Sequence, residues 1–195
     1  MQKDKDSESS YMVEPSSIVF PGRFQPVTNA HLDRLRWIVD VFPKAKVTVV
    51  IGDVGALNRA NFLTVGERRE IFLRILSLEC ALKHVSVACV AGCADANHWA
   101  KSVIGKVPDA DAVVSDNLFA IQPLQKIGLA AIRFERNNMN ASALREQPVE
   151  NWISQIPEIE MKLLRYWEVE TRLKMLRGEE KYPFLHGEAC DGARN

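Results

Sequence analysis

Ser17-Ile18-Val19-Phe20-Pro21-Gly22-Arg23-Phe24-Gln25-Pro26-Val27-Thr28-Asn29-Ala30-His31 reads as a short apolar run, a glycine-containing turn and the start of a helix. The run Ser17–Phe20 stops at Pro21-Gly22, as a buried strand does. Asn29 stands where a helix cap belongs, and Leu32, Leu35, Ile38 and Val39 then recur at helical spacing until Pro43 closes the segment. Asp33, Arg34 and Arg36 fill the positions between. A strand that runs through a tight turn into a helix N-terminus exposes backbone N–H groups, and the helix dipole favours an anion there. Gly22 provides the turn, and Arg23 adds a fixed positive charge with fork geometry for phosphate. His31 lies three residues past Thr28, on the same side of the first helical turn, so a hydroxyl and an imidazole face one anion.

Outward from this stretch the pattern repeats. Val47–Ile51 is a second strand ended by Gly52, and a polar loop runs from Asp53 to Leu63. Thr64-Val65-Gly66-Glu67 has the form of a capping box ahead of a helix whose Ile71, Phe72, Ile75 and Leu76 share a face. Strands over His84–Val90, Ala112–Val114 and Leu129–Phe134 alternate with helices over Asp95–Val107 and Leu118–Ile127. This order predicts an α/β fold: a Rossmann-like, doubly wound, parallel five-stranded sheet with helices on both faces and a C-terminal helical tail. Ligands bind such sheets at the carboxyl ends of strands, near a topological switch point. The expected organisation is an arm over 1–16, an α/β domain over 17–146, a helical subdomain over 147–178 and a loose tail over 179–195. In the helical part, segments over Glu150–Gln155 and Glu158–Arg177 are predicted, with Leu163, Leu164, Trp167, Leu173 and Leu176 packing on the sheet domain.

Composition bounds the function. Lys+Arg and Asp+Glu both number 25, so no global basic field recruits nucleic acid or an anionic membrane, and an anionic ligand must be met by local groups. No apolar run reaches the roughly 20 residues that span a bilayer. Met1–Ser17 lacks the apolar stretch of a secretory signal. The four cysteines, Cys80, Cys89, Cys93 and Cys190, show no disulfide-like density, which fits a reducing, cytoplasmic setting. Cys89, Cys93 and His98 lack a fourth ligand at zinc spacing, so no bound metal is expected.

The motifs resemble the adenylyl- and cytidylyltransferases that carry a His/Thr-x-Gly-His signature. Gly22-Arg23-Phe24-Gln25-Pro26-Val27 is similar to the archaeal-type nicotinamide-mononucleotide adenylyltransferases. Thr28, with His31-Leu32-Asp33 after it, is similar to phosphopantetheine adenylyltransferases, which use Thr in the first signature position. Further resemblance follows in order along residues 17 to 165: Arg59 to Phe62 with Gly66-Glu67-Arg68; Asn97-His98-Trp99; Val114-Ser115-Asp116-Asn117; and Met139–Arg145, similar to a late Ile-Ser-x-Thr-x-x-Arg motif. The chain departs from the pattern at Ala30, where the family has Gly, at Asn140 and Ser142 for Ser and Thr, and at Leu118 for Pro.

The resemblance implies transfer of AMP from ATP, or of another nucleotide from its triphosphate, to a small phosphorylated acceptor, with nicotinamide or nicotinate mononucleotide the leading candidate. Pyrophosphate leaves, and Mg²⁺ is bound mainly through the triphosphate, since it keeps waters and uses few protein ligands. The implied catalytic residues are Thr28, His31, Ser142 and Arg145; the nucleotide falls to Gly22, Arg23, Phe24, Arg59 and Asn140; the acceptor falls to Asp53, Trp99, Ser115 and Asn117. Trp99 serves equally as a core anchor, and Asp53 as a loop cap. Two alternatives stand: another phosphate or phosphonate acceptor, with ATP or CTP, and a nucleotide-binding regulatory module without catalysis. Relatives of this kind are commonly homo-oligomers, and Trp152, Tyr166 and Trp167 offer aromatic surface for sharing between subunits.

Overall fold

The computed structural model describes residues 14–53, 55–134, 141–147, 149–152, 154–158, 160, 166–176 and 178. Five parallel strands, β1 (Ser17–Gly22), β2 (Lys46–Gly52), β3 (Val85–Val90), β4 (Ala112–Val114) and β5 (Ala130–Ile132), lie in the order β3-β2-β1-β4-β5. The central strand pairs Ile18 with Val47 on one side and with Ala112 on the other. The chain therefore winds outward from β1 to β3, crosses back, and winds the other way through β4 and β5. The gap between the ends of β1 and β4 is the switch point, as the alternation of strands and helices implies.

Side-chain alternation along β1 separates two apolar layers. Ile18 and Phe20 join Leu32, Leu35 and Ile38 of α1 (Asn29–Val41) and Ile71, Phe72 and Ile75 of α2 (Val65–Leu78). Val19 points to the opposite face, with Ala100 and Val103 of α3 (Ala96–Lys106) and Leu124 of α4 (Leu118–Lys126). Both faces of the central strand are thus dry, and this fixes its register. The Thr64–Glu67 capping box is present: Glu67 N–H donates to Thr64 Oγ1 at 3.2 Å and Thr64 N–H to Glu67 at 2.7 Å.

The C-terminal part packs on the α1/α2 face. After α5 (Ala141–Leu144), a 3₁₀ turn over Val149–Trp152 stands where a helix to Gln155 was expected. Pro157 biases Ile156 away from helical backbone, so the segment closes as a short turn. The Trp152 indole N–H donates to the Leu144 carbonyl at 2.8 Å, and the ring, 1% exposed, lies against Phe62. Trp152 is therefore core and offers no surface to a second copy. The last helix, α6 (Tyr166–Leu176), buries Val169 and Leu173. Its Arg172 binds both Glu67 oxygens at 2.9 Å and the Phe62 carbonyl at 2.9 Å. The expected packing residues Leu163 and Leu164, and the side chains of Tyr166 and Trp167, lie outside the described residues. Strand β5 ends at Ile132, short of the expected Phe134, because Phe134 turns to stack on Arg34 of α1 with 3.6 Å between guanidinium carbon and ring centre.

Candidate active site

A cleft of about 190 Å³ opens at the switch point. The β1–α1 turn forms one wall, Ser115–Asn117 after β4 another, and Phe134, Ala141, Ser142 and Arg145 the third. Thr28, Ala30, His31 and Arg34 of the turn and α1 complete it.

His31 carries the sharpest geometry. Its Nδ1 accepts the Thr28 backbone N–H at 2.9 Å and lies 2.8 Å from Thr28 Oγ1. An imidazole nitrogen that accepts an amide proton is unprotonated, so the ring proton sits on Nε2. Burial drives the ring from 6.5 to about 4, against the raising influence of Asp116. His31 is therefore a neutral, oriented N–H donor at neutral pH. The unfolded chain takes up a proton near 6.5 and the folded chain only near 4, so acid favours the unfolded state between these values. The stability that His31 contributes is present above 6.5 and is lost as pH falls towards 4. Denaturant midpoints followed from about pH 7.5 down to about pH 4.5 are expected to fall more steeply in the wild type than in His31→Gln. Parallel curves would show that the ring is protonated in the fold.

Thr28, and not Asn29, is the helix cap, with extended backbone at φ −116°, ψ 160°. Asn29 begins α1 and donates its N–H to Gln155 O at 2.8 Å and its side-chain amide to Ser154 O at 3.3 Å. This narrows the expectation of a turn with amides open to an anion. Val27 N–H goes to Glu160, Thr28 N–H to His31 and Asn29 N–H to Gln155, so these three are not open to phosphate. Gly22 also has a different reason for being glycine: a Cβ there would lie 2.6 Å from the Phe24 ring. Phe24, at φ 50°, folds back and buries its ring against Phe72, edge-on to His31 at 5.1 Å. A left-handed phenylalanine costs about 1–3 kcal/mol and persists only where its surroundings over-determine it.

Three ionisable side chains hold the turn. Arg68 of α2, fully buried, donates Nη1 to the carbonyls of Arg23 (2.7 Å) and Gly52 (2.8 Å) and Nε to that of Thr64 (3.1 Å). Arg145 donates to Gln25 O at 2.6 Å and to Ser142 Oγ at 2.9 Å. Glu160 accepts from Val27. Gln25 in turn exchanges two bonds with the Leu63 backbone, at 2.7 and 2.9 Å. Burial, and behind it the charge of Arg23, push the Arg145 guanidinium below its ordinary value without discharging it. Two guanidinium groups held this near one another form a site that a polyanion relieves.

The structure brings Gly22, Arg23, Phe24, Thr28, His31, Ser115, Asn117, Ser142 and Arg145 to the cleft. Ser115 Oγ accepts Asn117 N–H at 3.1 Å, and Asn117 caps α4 through Phe119 N–H at 3.1 Å. Asp53, Arg59 and Trp99 are not in the cleft wall. Asp53 caps Gly55 N–H at 3.1 Å, Arg59 pairs with Glu146, and Trp99 packs on the second apolar layer. Asn140 lies outside the described residues. Among these residues no group of three or more His, Cys, Asp or Glu is arranged to hold a metal ion, and no helix is long and apolar enough to cross a membrane.

Arg34, Asp116 and Phe134 are cleft residues that were absent from the expected set. Arg34 was legible: it continues the Thr28–His31 spacing by three. Arg68 sits at the apolar-face spacing of Ile71, Phe72 and Ile75, and Glu160 at four residues from Ile156. A charge on a buried stripe is the signal for both.

A parallel sheet with a cleft at its switch point, lined by Arg23, His31, Arg34 and Arg145, is the arrangement by which α/β proteins take anionic ligands such as nucleotides. The chain belongs to the Cytidylyltransferase-like family, which matches residues 19–116. It is similar to the nicotinamide-nucleotide adenylyltransferase of Thermococcus kodakarensis, 27% identical over 168 residues, covering 81% of this chain and 87% of the relative. It is also similar to nicotinamide-nucleotide adenylyltransferase 1 of Sulfolobus acidocaldarius, 24% identical over 163 residues, covering 80% and 93%. The fold matches a bifunctional NMN adenylyltransferase/ADP ribose pyrophosphatase from Francisella tularensis, solved with AMP and a manganese ion. There the TM-score is 0.60 and the identity 19%; the match covers 86% of this chain but only 57% of that longer one.

Proposed function

We propose that the protein transfers AMP from ATP to the phosphate of nicotinamide mononucleotide, or of its acid form, releasing pyrophosphate and forming a dinucleotide. The observation that carries this reading is one cleft holding a neutral, oriented imidazole donor beside two neighbouring guanidinium groups. The acceptor is supported by relatives of that name that align over four-fifths of the chain.

An oxygen of the acceptor phosphate attacks the α-phosphorus, and the bond from that phosphorus to the bridging oxygen of pyrophosphate breaks. The protein contributes positioning and charge stabilisation. His31 Nε2–H donates to an α/β-phosphate oxygen as negative charge moves onto the leaving group. Thr28 acts through its bond to His31, keeping the ring in the Nε2–H tautomer. Arg145, aimed by Ser142 and Gln25, holds the β/γ end, and Arg23, on the β1–α1 turn of the same cleft, meets the phosphates as a second cation. Ser115 and Asn117 serve the acceptor. A divalent cation, Mg²⁺ in this reading, comes with the triphosphate and offsets its charge.

The reading is tested by pyrophosphate release from ATP with Mg²⁺ and a panel of acceptors: the two mononucleotides, phosphopantetheine and a phosphonate, with CTP in parallel. Release is expected with ATP and a mononucleotide. Release only with another acceptor, or only with CTP, keeps the family chemistry and overturns the named substrates. Tight nucleotide binding with no release from any pair would favour a regulatory module.

A further inference from the structure

Glu160 is 0% exposed, yet only one of its oxygens has a partner among the described residues: Oε1 accepts Val27 N–H at 3.2 Å. Oε2 is buried with none. Leaving a buried carboxyl oxygen unsatisfied costs stability; an apolar side chain of similar volume would avoid that cost but would strand the Val27 N–H. A side chain that costs stability calls for a function.

The position of its one bond supplies it. Val27 precedes Thr28, whose N–H fixes Nδ1 of His31. Beside it, Gln155 O takes Asn29 N–H and Ser154 O takes the Asn29 side-chain amide. The segment from 154 to 160 thus grips the turn from behind at two of three consecutive residues. The third is left to orient the imidazole.

We propose that Glu160 is a positioning residue: it pins the Val27 amide, and so aims the Thr28 N–H at His31 Nδ1 and the Nε2–H into the cleft. It touches neither substrate. Burial, opposed by the Val27 bond, pushes its carboxyl well above the usual carboxylate range. Its catalytic part rests on the adenylyl-transfer reading above.

The test compares Glu160→Met with Glu160→Gln. Glu160→Met removes the acceptor at similar volume. Its Tm is expected to stay within about 4 °C of wild type, because relief of the unsatisfied carboxyl oxygen is set against a buried Val27 N–H left unpaired, while kcat falls roughly tenfold to hundredfold and KM for both substrates changes by less than about threefold. Glu160→Gln keeps an acceptor without charge and should restore kcat to near wild type. Nitrogen chemical shifts of His31 report the tautomer independently of turnover: the wild type and Glu160→Gln should show the single Nε2–H form, and Glu160→Met a mixture. A Glu160→Met protein with unchanged kcat and an unchanged tautomer would overturn the proposal, as would a Glu160→Gln enzyme as slow as Glu160→Met. If the wild type turns over no acceptor, the substrate reading fails, while the tautomer comparison still decides the role of Glu160.

Discussion

Replacing His31 by alanine lowers kcat by about 10²–10³-fold and leaves KM for ATP within about threefold of wild type. The reason lies in what the ring does before substrate arrives. Thr28 N–H occupies Nδ1 at 2.9 Å, and burial holds the ring neutral with a pKa of about 4. The Nε2–H donor therefore needs no reorganisation when charge develops on the leaving pyrophosphate, and such preorganised donors act mainly on the transition state. Thermal denaturation provides the control. The ring is edge-on to buried Phe24, so its loss lowers Tm, but activity per folded molecule carries the kinetic effect. Steady-state kinetics at saturating acceptor would measure it. A variant that loses ATP affinity while keeping kcat would make His31 a binding group only.

Arg145→Ala is expected to lower kcat/KM for ATP by about 10²–10³-fold and also to destabilise the fold. Arg145 satisfies the carbonyl of Gln25, a residue 1% exposed. Removing the guanidinium leaves that carbonyl buried without its partner, at about 1–3 kcal/mol. It also removes one of the two cations proposed to face a triphosphate. Arg145→Lys should recover little, because a single ammonium cannot bond Gln25 O and Ser142 Oγ in the fork geometry and still present donors to phosphate. Calorimetric titration with ATP, beside melting curves, separates the two losses. Unchanged ATP affinity with a lowered Tm would reduce Arg145 to a strut for the turn.

The fold was legible because its signals are local. Short apolar runs at Ile18–Phe20 and Val47–Ile51, each followed by an amphipathic helix, imply parallel crossovers and little else. The Thr64–Glu67 box was legible for the same reason, since both partners lie within one helical turn. The cleft was legible where it is sequential, as in Thr28 with His31 or Ser142 with Arg145. What was lost is long-range. Glu160 lies 133 residues from Val27, and no local pattern says which amide it takes. Gly22 looked like a turn residue because the folding back of Phe24 over it depends on Phe72 of α2. The Val27 and Asn29 amides looked open because their acceptors, Glu160 and Gln155, come from the C-terminal part of the chain. Trp152 looked like surface because Phe62, the ring it packs against, sits on a loop far from it in sequence.

The central claim is nucleotidyl transfer: attack on the α-phosphorus with pyrophosphate as the leaving group. Its most direct measurement uses ATP labelled separately at the α- and γ-phosphorus, incubated with nicotinamide mononucleotide, Mg²⁺ and the pure protein, with products resolved by chromatography. The α-label is expected in a dinucleotide and the γ-label in pyrophosphate, in equal amounts, and both products fall together by about 10²–10³-fold in His31→Ala. Transfer of the γ-label to the mononucleotide, or release of the α-label as free AMP with no dinucleotide, would contradict it.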